Sequence, residues 1–400
     1  MLKHAERWLP GYLYSLLRRP RRGRQPTHVL FAICDHFEPL SPHAAQPQEV
    51  GDRRVARWLR DYPGVASEFR DADGRPPCHT FFYPAEAAEQ PHRYVPMLLP
   101  LVRAELGEVE IHLHHDHDTP VQLARTLTGF RDWLHAELGL LGTDSEGRPR
   151  YGFIHGNWAL CNSRPDGRWC GVNEELTILR ETGCYADLTM PSGASPTQSR
   201  KVNDLYYASN RPGKPNSHAR GISVVAGRPD ASAKPCPDAG DLMLIQGPLG
   251  LNWRWRKWGL LPRFEHADLC ASNPPTPQRV DLWVRQHIHV RGRPDWLFVK
   301  VHTHGCLEHN LEVLLGEPIR AMHRHLASMY NDGERFCLHY VSAREMYNLA
   351  KAAEAGASGN PAAYRDFVIR RPRASGLPDS LSTSLYTDYP PATVHRRDES

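Results

Sequence analysis

The sequence predicts an α/β protein whose centre is a parallel β-sheet. Short apolar segments alternate with amphipathic helical segments over the first 140 residues, and this alternation is typical of strands joined by crossover helices. The first strand segment, residues 27–33, is apolar over most of its length, as in parallel strands buried on both faces. A chain of 400 residues can form one large α/β barrel or two to three smaller domains.

Eight segments have the length, apolar content and flanking residues of β-strands, and several of them end in polar residues. In chain order, they are residues 27–33, 78–84, 109–114, 151–155, 184–191, 241–247, 296–301 and 336–341. Helices are predicted between them, among them residues 121–138, where apolar side chains recur at helical spacing. Ser342 and Glu345 form a capping-box pattern, which marks the start of a helix after the last strand.

Three segments differ from the alternating pattern of the main body, which spans residues 26–357. Residues 1–25 combine an aromatic and aliphatic helical face with a cluster of arginines, so two interpretations stay open: peripheral contact with an anionic membrane surface, or packing on the outside of the body. Residues 193–240 are rich in Pro, Ser, Gly and Asn and are interpreted as an inserted loop that covers the substrate side. Residues 358–400 lose periodicity and are predicted to form an extended or disordered tail.

Composition and charge argue against several classes of protein. The formal net charge of +4 is small for this length and gives no reason to expect nucleic-acid binding. No apolar run approaches the roughly 18–20 residues of a membrane span, and the amino terminus lacks the features of a signal peptide. The nine cysteines form no CxxC pair, which argues against a zinc ribbon or a disulfide framework and favours a reducing, cytoplasmic location. The sequence does not indicate an oligomeric state.

Residues 109–118 combine a predicted strand with a dense group of His and Asp residues. His112 and His114 are two residues apart and therefore share one face of the strand. Thr119 and Pro120 then suit the start of a helix. Neutral imidazoles and carboxylates at a strand end are the ligands that catalytic divalent metals need. The stretch thus predicts a metal site, and a solvated, His-rich turn is the alternative.

Other strand ends carry similar residues, and the carboxyl ends of parallel strands meet on one side of an α/β fold. The candidates are Asp35, His36 and Glu38 after the first strand, His155, Asn157 and Trp158 after the fourth, and His302 and His304 after residues 296–301. A metal with two or three protein ligands and an open position for water suits hydrolysis of an amide or ester. A carboxylate could deprotonate the water, and an imidazole could protonate the leaving group.

Three of these strand ends resemble motifs of the polysaccharide deacetylase superfamily, the NodB-homology carbohydrate esterases. Ile33-Cys34-Asp35-His36 is similar to the first motif, a strand that ends in two Asp, with His36 in place of the second Asp. Residues 110–118 are similar to the Glu-Ile-Gly-x-His-Thr-x-x-His motif, and residues 299–302 to the Leu-x-His motif. The Arg-x-Pro motif is absent, and residues 155–158 stand in its place.

The resemblance covers residues 26–350. It implies a distorted (β/α)7-type barrel and an enzyme that removes acetyl groups from N-acetylated sugars of a polysaccharide. It also implies a divalent metal as cofactor, with zinc as the expected metal, and a carbohydrate as the substrate. In this comparison, Asp35 is the base and His302 is the acid.

The resemblance also implies roles for the other candidates. The metal ligands that it implies are His36, His114 and Asp118, with His117 as the reserve for Asp118. His155, Asn157 and Trp158 stand where substrate would bind. His112 and His304 are expected to support the ligands by hydrogen bonding rather than to bind the metal.

Two other functions fit the same residues. A metal-dependent glycosidase or an amidohydrolase-like hydrolase would also place His and Asp at barrel strand ends. An amidohydrolase, however, would carry a His-x-His pair on its first strand, where this chain has Asp35 and His36. A non-catalytic carbohydrate-binding component of a polysaccharide biosynthesis system would bind no metal and would lack a base–acid pair.

Overall fold

An eleven-stranded sheet, in which most neighbouring strands run parallel, forms the centre of the protein. The computed structural model describes residues 4–20, 23, 26–41, 46–86, 90–227 and 242–374. A separate two-stranded antiparallel hairpin lies outside the main sheet. The protein is therefore mixed α/β, as predicted.

All eight predicted strands are present, and five further strands accompany them. The strands are β1 (Thr27–His36), β2 (His79–Pro84), β3 (Gly107–Leu113), β4 (Tyr151–His155), β5 (Cys184–Asp187), β6 (Leu205–Ala208), β7 (Ile222–Ser223), β8 (Leu242–Ile245), β9 (Gly250–Lys257), β10 (Leu261–Glu265), β11 (Asp268–Leu269), β12 (Trp296–Thr303) and β13 (Phe336–Tyr340).

Helices connect most of the parallel strands. They are α1 (Ala5–Leu17), α2 (Gln48–Ser67), α3 (Pro91–Tyr94), α4 (Leu99–Arg103), α5 (Pro120–Ala136), α6 (Glu175–Glu181), α7 (Pro277–Arg285), α8 (Glu308–Leu314), α9 (Glu317–Tyr330) and α10 (Ala343–Glu354). The predicted capping box at the start of α10 is confirmed, since Ser342 and Glu345 exchange side-chain and backbone hydrogen bonds.

The strand order places β1 inside the sheet, with partners along both of its edges. From one edge to the other, the order is β11-β12-β1-β2-β3-β4-β5-β8-β6-β7. β12 pairs along one edge of β1. The other edge is divided, because residues 27–31 pair with β13 and residues 33–36 pair with β2. Among the described strands, no pairing joins the two ends of this order, so closure into a barrel is not part of the observed sheet.

Alternate side chains of β1 enter two separate apolar cores. Residues 29, 31 and 33 pack with side chains of α2 such as Val55 and Trp58. Residues 30, 32 and 34 pack with Ile154 and Phe298, on the inner side of the sheet. This period of two is expected of a strand. It continues to the end of β1, so the last two side chains of the strand also face opposite sides.

The amino-terminal helix packs against the body of the protein. Trp8 and Tyr12 of α1 are buried with Val202 and Leu249. The remaining apolar face of α1 includes the exposed Leu17. Packing therefore accounts for part of the amphipathic pattern, whereas membrane contact through residues 1–25 stays a prediction. In the described residues, no helix combines the length and the apolar character that crossing a membrane requires.

Part of the predicted loop insertion belongs to the sheet. β6 pairs antiparallel with both β7 and β8, which adds two strands from residues 193–227 to the sheet. Residues 228–241 lie outside the described residues. The interpretation of this segment as a cover over the substrate stays a prediction.

The packed structure continues past residue 357, where the sequence predicts the start of a tail. Residues 361–364 form a helical turn, and Ile369 is buried. The backbone of Arg370 pairs with that of Thr143. Residues 358–374 therefore pack on the body, and the rest of the predicted tail, 375–400, lies outside the described residues.

Candidate functional site

Four histidines from three strand ends meet on the inner side of the sheet. His36 ends β1, His112 lies near the end of β3, and His302 and His304 lie where β12 ends. The ring centre of His36 is 4.6 Å from that of His112, 4.6 Å from that of His304 and 6.4 Å from that of His302. Parallel pairing thus brings imidazoles that are distant in sequence into one group.

Glu38 adds a carboxylate to this group. Its Oε1 lies 3.0 Å from Nε2 of His112 and 3.6 Å from Nε2 of His114. Burial alone would raise the pKa of Glu38, but its hydrogen bond with His112 and the neighbouring imidazoles lower that pKa to about 2. Glu38 is therefore a charged carboxylate at neutral pH.

The outward nitrogens of His112 and His114 are held by hydrogen-bond acceptors. Nδ1 of His112 lies 3.1 Å from the backbone oxygen of Ile154, and Nδ1 of His114 lies 2.6 Å from Oε1 of Glu86. Each acceptor needs an N–H on Nδ1, so Nε2 is the nitrogen that faces Glu38, where it donates to the carboxylate or, after loss of its proton, could bind a cation. Imidazole nitrogens that face a carboxylate, with hydrogen-bond acceptors at the far nitrogens, are typical of a metal site.

His36 supplies a third imidazole to the same point. Its side chain is buried, and its Nδ1 has no hydrogen-bond partner among the described residues, which is rare for a buried polar nitrogen. Burial and then the neighbouring His304 and His112 hold the pKa of His36 well below its usual value. Donor atoms of His36, Glu38 and His112 lie within 4.8 Å of one another. Two neutral imidazoles and a carboxylate fit a divalent metal such as zinc.

Asp35 lies on the opposite face of β1, away from the imidazoles. Its carboxylate is buried, with Oδ2 2.9 Å from Nε2 of His79, and Oδ1 accepts a 2.6 Å hydrogen bond from the backbone N–H of Gly305. Strand alternation explains this placement, because neighbouring residues face opposite sides. Asp35 therefore holds the turn that follows His304, and no described contact supports the base role expected of it.

Further aromatic rings border His36. Trp158 lies 5.2 Å from His36 and 5.6 Å from His304 between ring centres, and its indole N–H is buried with no hydrogen-bond partner among the described residues. His302 packs against His266 with ring centres 5.5 Å apart. Burial and then the positive field of His266 and Lys300 keep the pKa of His302 well below its usual value. His302 is therefore uncharged at neutral pH.

His117 and Asn157 make other contacts. The side chain of His117 is 81% exposed, and its Nδ1 pairs with Asp116. The residue is turned outward after the end of β3, where its φ is positive. Asn157 donates its backbone N–H to Nδ1 of His155 over 3.2 Å. Neither contact brings these residues to Glu38.

Asp118 and His155 belong to a second group of side chains. Oδ2 of Asp118 lies 3.1 Å from Nδ1 of His115, and the ring of His155 lies 4.7 Å from that of His115. His115 also faces Glu175. The structure thus divides the predicted metal stretch, since His112 and His114 face Glu38 whereas His115 and Asp118 face Glu175.

Sequence reasoning missed Glu86, His115, Cys170 and Glu175. Glu86 follows β2 and could have been found by the rule that placed the other candidates at strand ends. His115 stands inside the stretch that was singled out, but the chain leaves the strand there and the side-chain alternation stops. Cys170 lies in a turn-rich loop and Glu175 follows it, and no periodic pattern there indicates where the side chains point.

A surface groove of about 1060 Å³ opens beside His114. Its wall includes Glu86, Gln122, Arg125 and Trp133. Aromatic and polar side chains of this kind can contact the faces and hydroxyl groups of a sugar.

The similarity of this chain to known proteins is low. No protein-family model matches the chain, and no curated protein matches its sequence. Among solved structures, the chain is similar to one from Mycobacterium smegmatis whose assignment as a polysaccharide deacetylase is itself provisional. The match covers 89% of this chain and 96% of that one, with 14% identity and a TM-score of 0.42. At this level of similarity, activity has to be inferred from the residues of the site.

Proposed function

We propose that the protein is a metal-dependent hydrolase that removes acetyl groups from N-acetylated sugars of a polysaccharide. The observation that carries the proposal is the orientation of His112 and His114. Both rings face Oε1 of Glu38 through Nε2, while acceptors hold their Nδ1 atoms. We assign His36, Glu38, His112 and His114 as the residues that hold the metal, in place of the set with Asp118 and His117.

The chemistry of the neighbouring residues fits hydrolysis. A divalent cation held by these ligands would polarise an acyl carbonyl and lower the pKa of water. His302 borders this group and would relay the proton of the attacking water to the leaving amine once a bound cation has made that water more acidic. Trp158 offers its ring to the sugar at the edge of the group.

The substrate class rests on the groove and on the motif resemblance. The groove beside His114 carries the aromatic and polar wall that a glycan chain needs. The resemblance of residues 33–36, 110–118 and 299–302 to deacetylase motifs selects the acetyl group as the part that is cleaved.

The test compares His112→Ala with His117→Ala in metal content and acetate release. Removal of His112 takes away a buried ligand, so we expect the loss of one metal equivalent and a fall of about 100-fold or more in acetate release from an N-acetylated glycan. His117→Ala, whose exposed ring lies in the same stretch, serves as the matched control and should behave like the parent.

Equal acetate release by the parent and His112→Ala would contradict the proposal. Release of reducing sugars in place of acetate would favour a glycosidase. A purified parent that binds no metal and releases no acetate would favour a non-catalytic carbohydrate-binding protein.

A further inference from the structure

We propose a second metal site, for a structural zinc ion, formed by His115, His155, Cys170 and Glu175. His155 ends β4, Glu175 begins α6, and His115 and Cys170 lie in the loops after β3 and before α6. One donor atom from each of the four residues can be chosen so that all lie within 4.8 Å of one another. This proposal does not depend on the hydrolase function proposed above.

The distances around Glu175 lie within about 0.1 Å of the range between the ligands of tetrahedral zinc, with Oε1 facing the two imidazoles and Oε2 facing the sulfur. Its Oε1 is 3.2 Å from Nε2 of His115 and 3.8 Å from Nε2 of His155, and its Oε2 is 3.5 Å from Sγ of Cys170. Tetrahedral ligands at zinc bond lengths are separated by roughly 3.3–3.7 Å. The side chains of His155 and Glu175 are fully buried, and that of His115 is 6% exposed.

Backbone N–H groups point to the sulfur of Cys170 and would support it as a metal-bound thiolate. The N–H groups of Asn162 and Val172 point to Sγ over 3.3 and 3.5 Å. Gly171 has a φ of +100°, and a Cβ atom there would lie 2.5 Å from the backbone nitrogen of Asp118. The tight turn after Cys170 therefore needs glycine, and it directs amide donors at a sulfur that would carry negative charge.

Hydrogen bonds fix His115 for metal binding. Asp118 accepts from Nδ1 of His115 over 3.1 Å, which leaves Nε2, 3.2 Å from Oε1 of Glu175, as the nitrogen that would give up its proton to bind the metal. A carboxylate on the far nitrogen is the usual support of a zinc-bound imidazole. The position of Asp118 is held in turn by its backbone N–H, which donates to the carbonyl oxygen of Cys170.

Nε2 of His155 is buried and has no hydrogen-bond partner among the described residues, and it faces the same point. Binding of a metal through this nitrogen requires the ring proton on Nδ1, so it gives up the 3.2 Å bond from the Asn157 amide. A metal bond to an otherwise unsatisfied buried nitrogen compensates for that long contact.

The donor set indicates both the metal and its role. One thiolate, two imidazoles and a carboxylate make up a four-ligand set of the kind zinc accepts, and a site closed by four protein ligands has a structural function. The ion would clamp the loop between His155 and Cys170 to β3 and α6. That loop carries Trp158, which borders His36, so the second site would hold one wall of the first.

The test uses the full-length protein and zinc alone. X-ray absorption of the zinc-loaded parent should show a sulfur neighbour at about 2.3 Å from part of the zinc. Cobalt-loaded parent should show the near-ultraviolet charge-transfer band of a cobalt–thiolate bond. Cys170→Ser should lose this band and bind one zinc equivalent fewer than the parent.

Two variants serve as controls for this test. Cys337→Ser changes a half-buried thiol on β13 and should keep both the band and the zinc content. His112→Ala removes a ligand of the first site and should keep the cobalt–thiolate band, which separates failure of one site from failure of the other. Zinc-loaded parent without a sulfur neighbour would overturn the proposal and leave His115 as an ion-paired imidazolium between Asp118 and Glu175. Equal zinc content in Cys170→Ser and the parent would overturn it as well.

Discussion

Asp35 and His36 are neighbours in the chain, and the pleat of β1 sends them into different surroundings. His36 points to the imidazoles and to Glu38. Asp35 points to His79 and to the turn at Gly305. A Cβ atom at Gly305 would lie 1.9 Å from Oδ2 of Asp35, so this carboxylate and this turn fit closely together. At the residue scale, Asp35 therefore acts on the site through the position of the loop that carries His304.

Asp35→Asn tests this structural role. The exchange puts an N–H2 group against His79 or Gly305, and a buried donor without an acceptor destabilises a fold, so we expect the free energy of unfolding to fall by about 1–3 kcal/mol. Urea denaturation measures this change. Asp132→Asn, at an exposed carboxylate on α5, is the control and should be nearly neutral. Unchanged stability together with lost activity would instead support Asp35 as a base.

The buried carboxyl group of Glu110 makes the stability of the folded protein depend on pH. It is fully buried, and it accepts hydrogen bonds from Tyr185 over 2.6 Å and from the backbone of Gly152 over 2.5 Å. Burial raises its pKa from 4.5 to about 8, although both hydrogen bonds oppose that change. Between these two values, the folded protein keeps a proton that the unfolded chain has lost.

Glu110 therefore contributes its full amount to the free energy of unfolding below about pH 4.5, and this contribution is lost as the pH rises to about 8. Glu110→Gln keeps the shape but cannot titrate. We expect the stability of the parent relative to this variant to fall by up to about 1.4 kcal/mol per pH unit across that interval. Denaturation at a series of pH values measures the difference, and a constant difference would contradict the expected titration.

At the scale of elements, the segment after α10 packs although its sequence shows no periodicity. Asn348 of α10 accepts from the backbone N–H of Ile369 and donates to its carbonyl oxygen, each over 2.8 Å. Arg344 donates to the same carbonyl oxygen over 2.8 Å. Ile369 is 2% exposed. Side-chain hydrogen bonds to the backbone thus replace the regular pairing from which periodicity arises.

Ile369→Ala tests whether this segment stabilises the body. Truncation of a buried isoleucine leaves a cavity, so we expect the free energy of unfolding to fall by about 2–5 kcal/mol. Phe367→Ala, two residues away at a side chain that is 46% exposed, is the matched control and should change stability far less. If both variants unfold like the parent in chemical denaturation, residues 358–374 do not contribute to stability.

At the scale of the whole molecule, the central strands could be predicted from the sequence because their apolar runs are long and their ends are polar. β6, β7 and β11 were not predicted, since they are two to four residues long and lie in polar surroundings. β9 was not predicted as a strand either, because five of its residues are exposed and its tryptophans do not alternate into a core.

The candidate site was predictable as a meeting of strand ends, but not in its details. Side-chain direction follows from the strand period up to Leu113 and has no such rule beyond it, so the separation of His114 from His115 could not be derived. Glu86 and Cys170 enter their groups from loops. Tertiary contacts, rather than local sequence, decide where such side chains point.

The divided edge of β1 has a consequence for how the chain acquires its structure during synthesis. β1 is made early, but its partners β12 and β13 are made late, and Asp35 and Gly305 are 270 residues apart. Contacts so distant in sequence form slowly, because a long loop must close before they stabilise the fold. While the chain emerges from the ribosome, β2 is the one partner that β1 can find early. The cluster at His36 can thus be completed only after His304 has been translated.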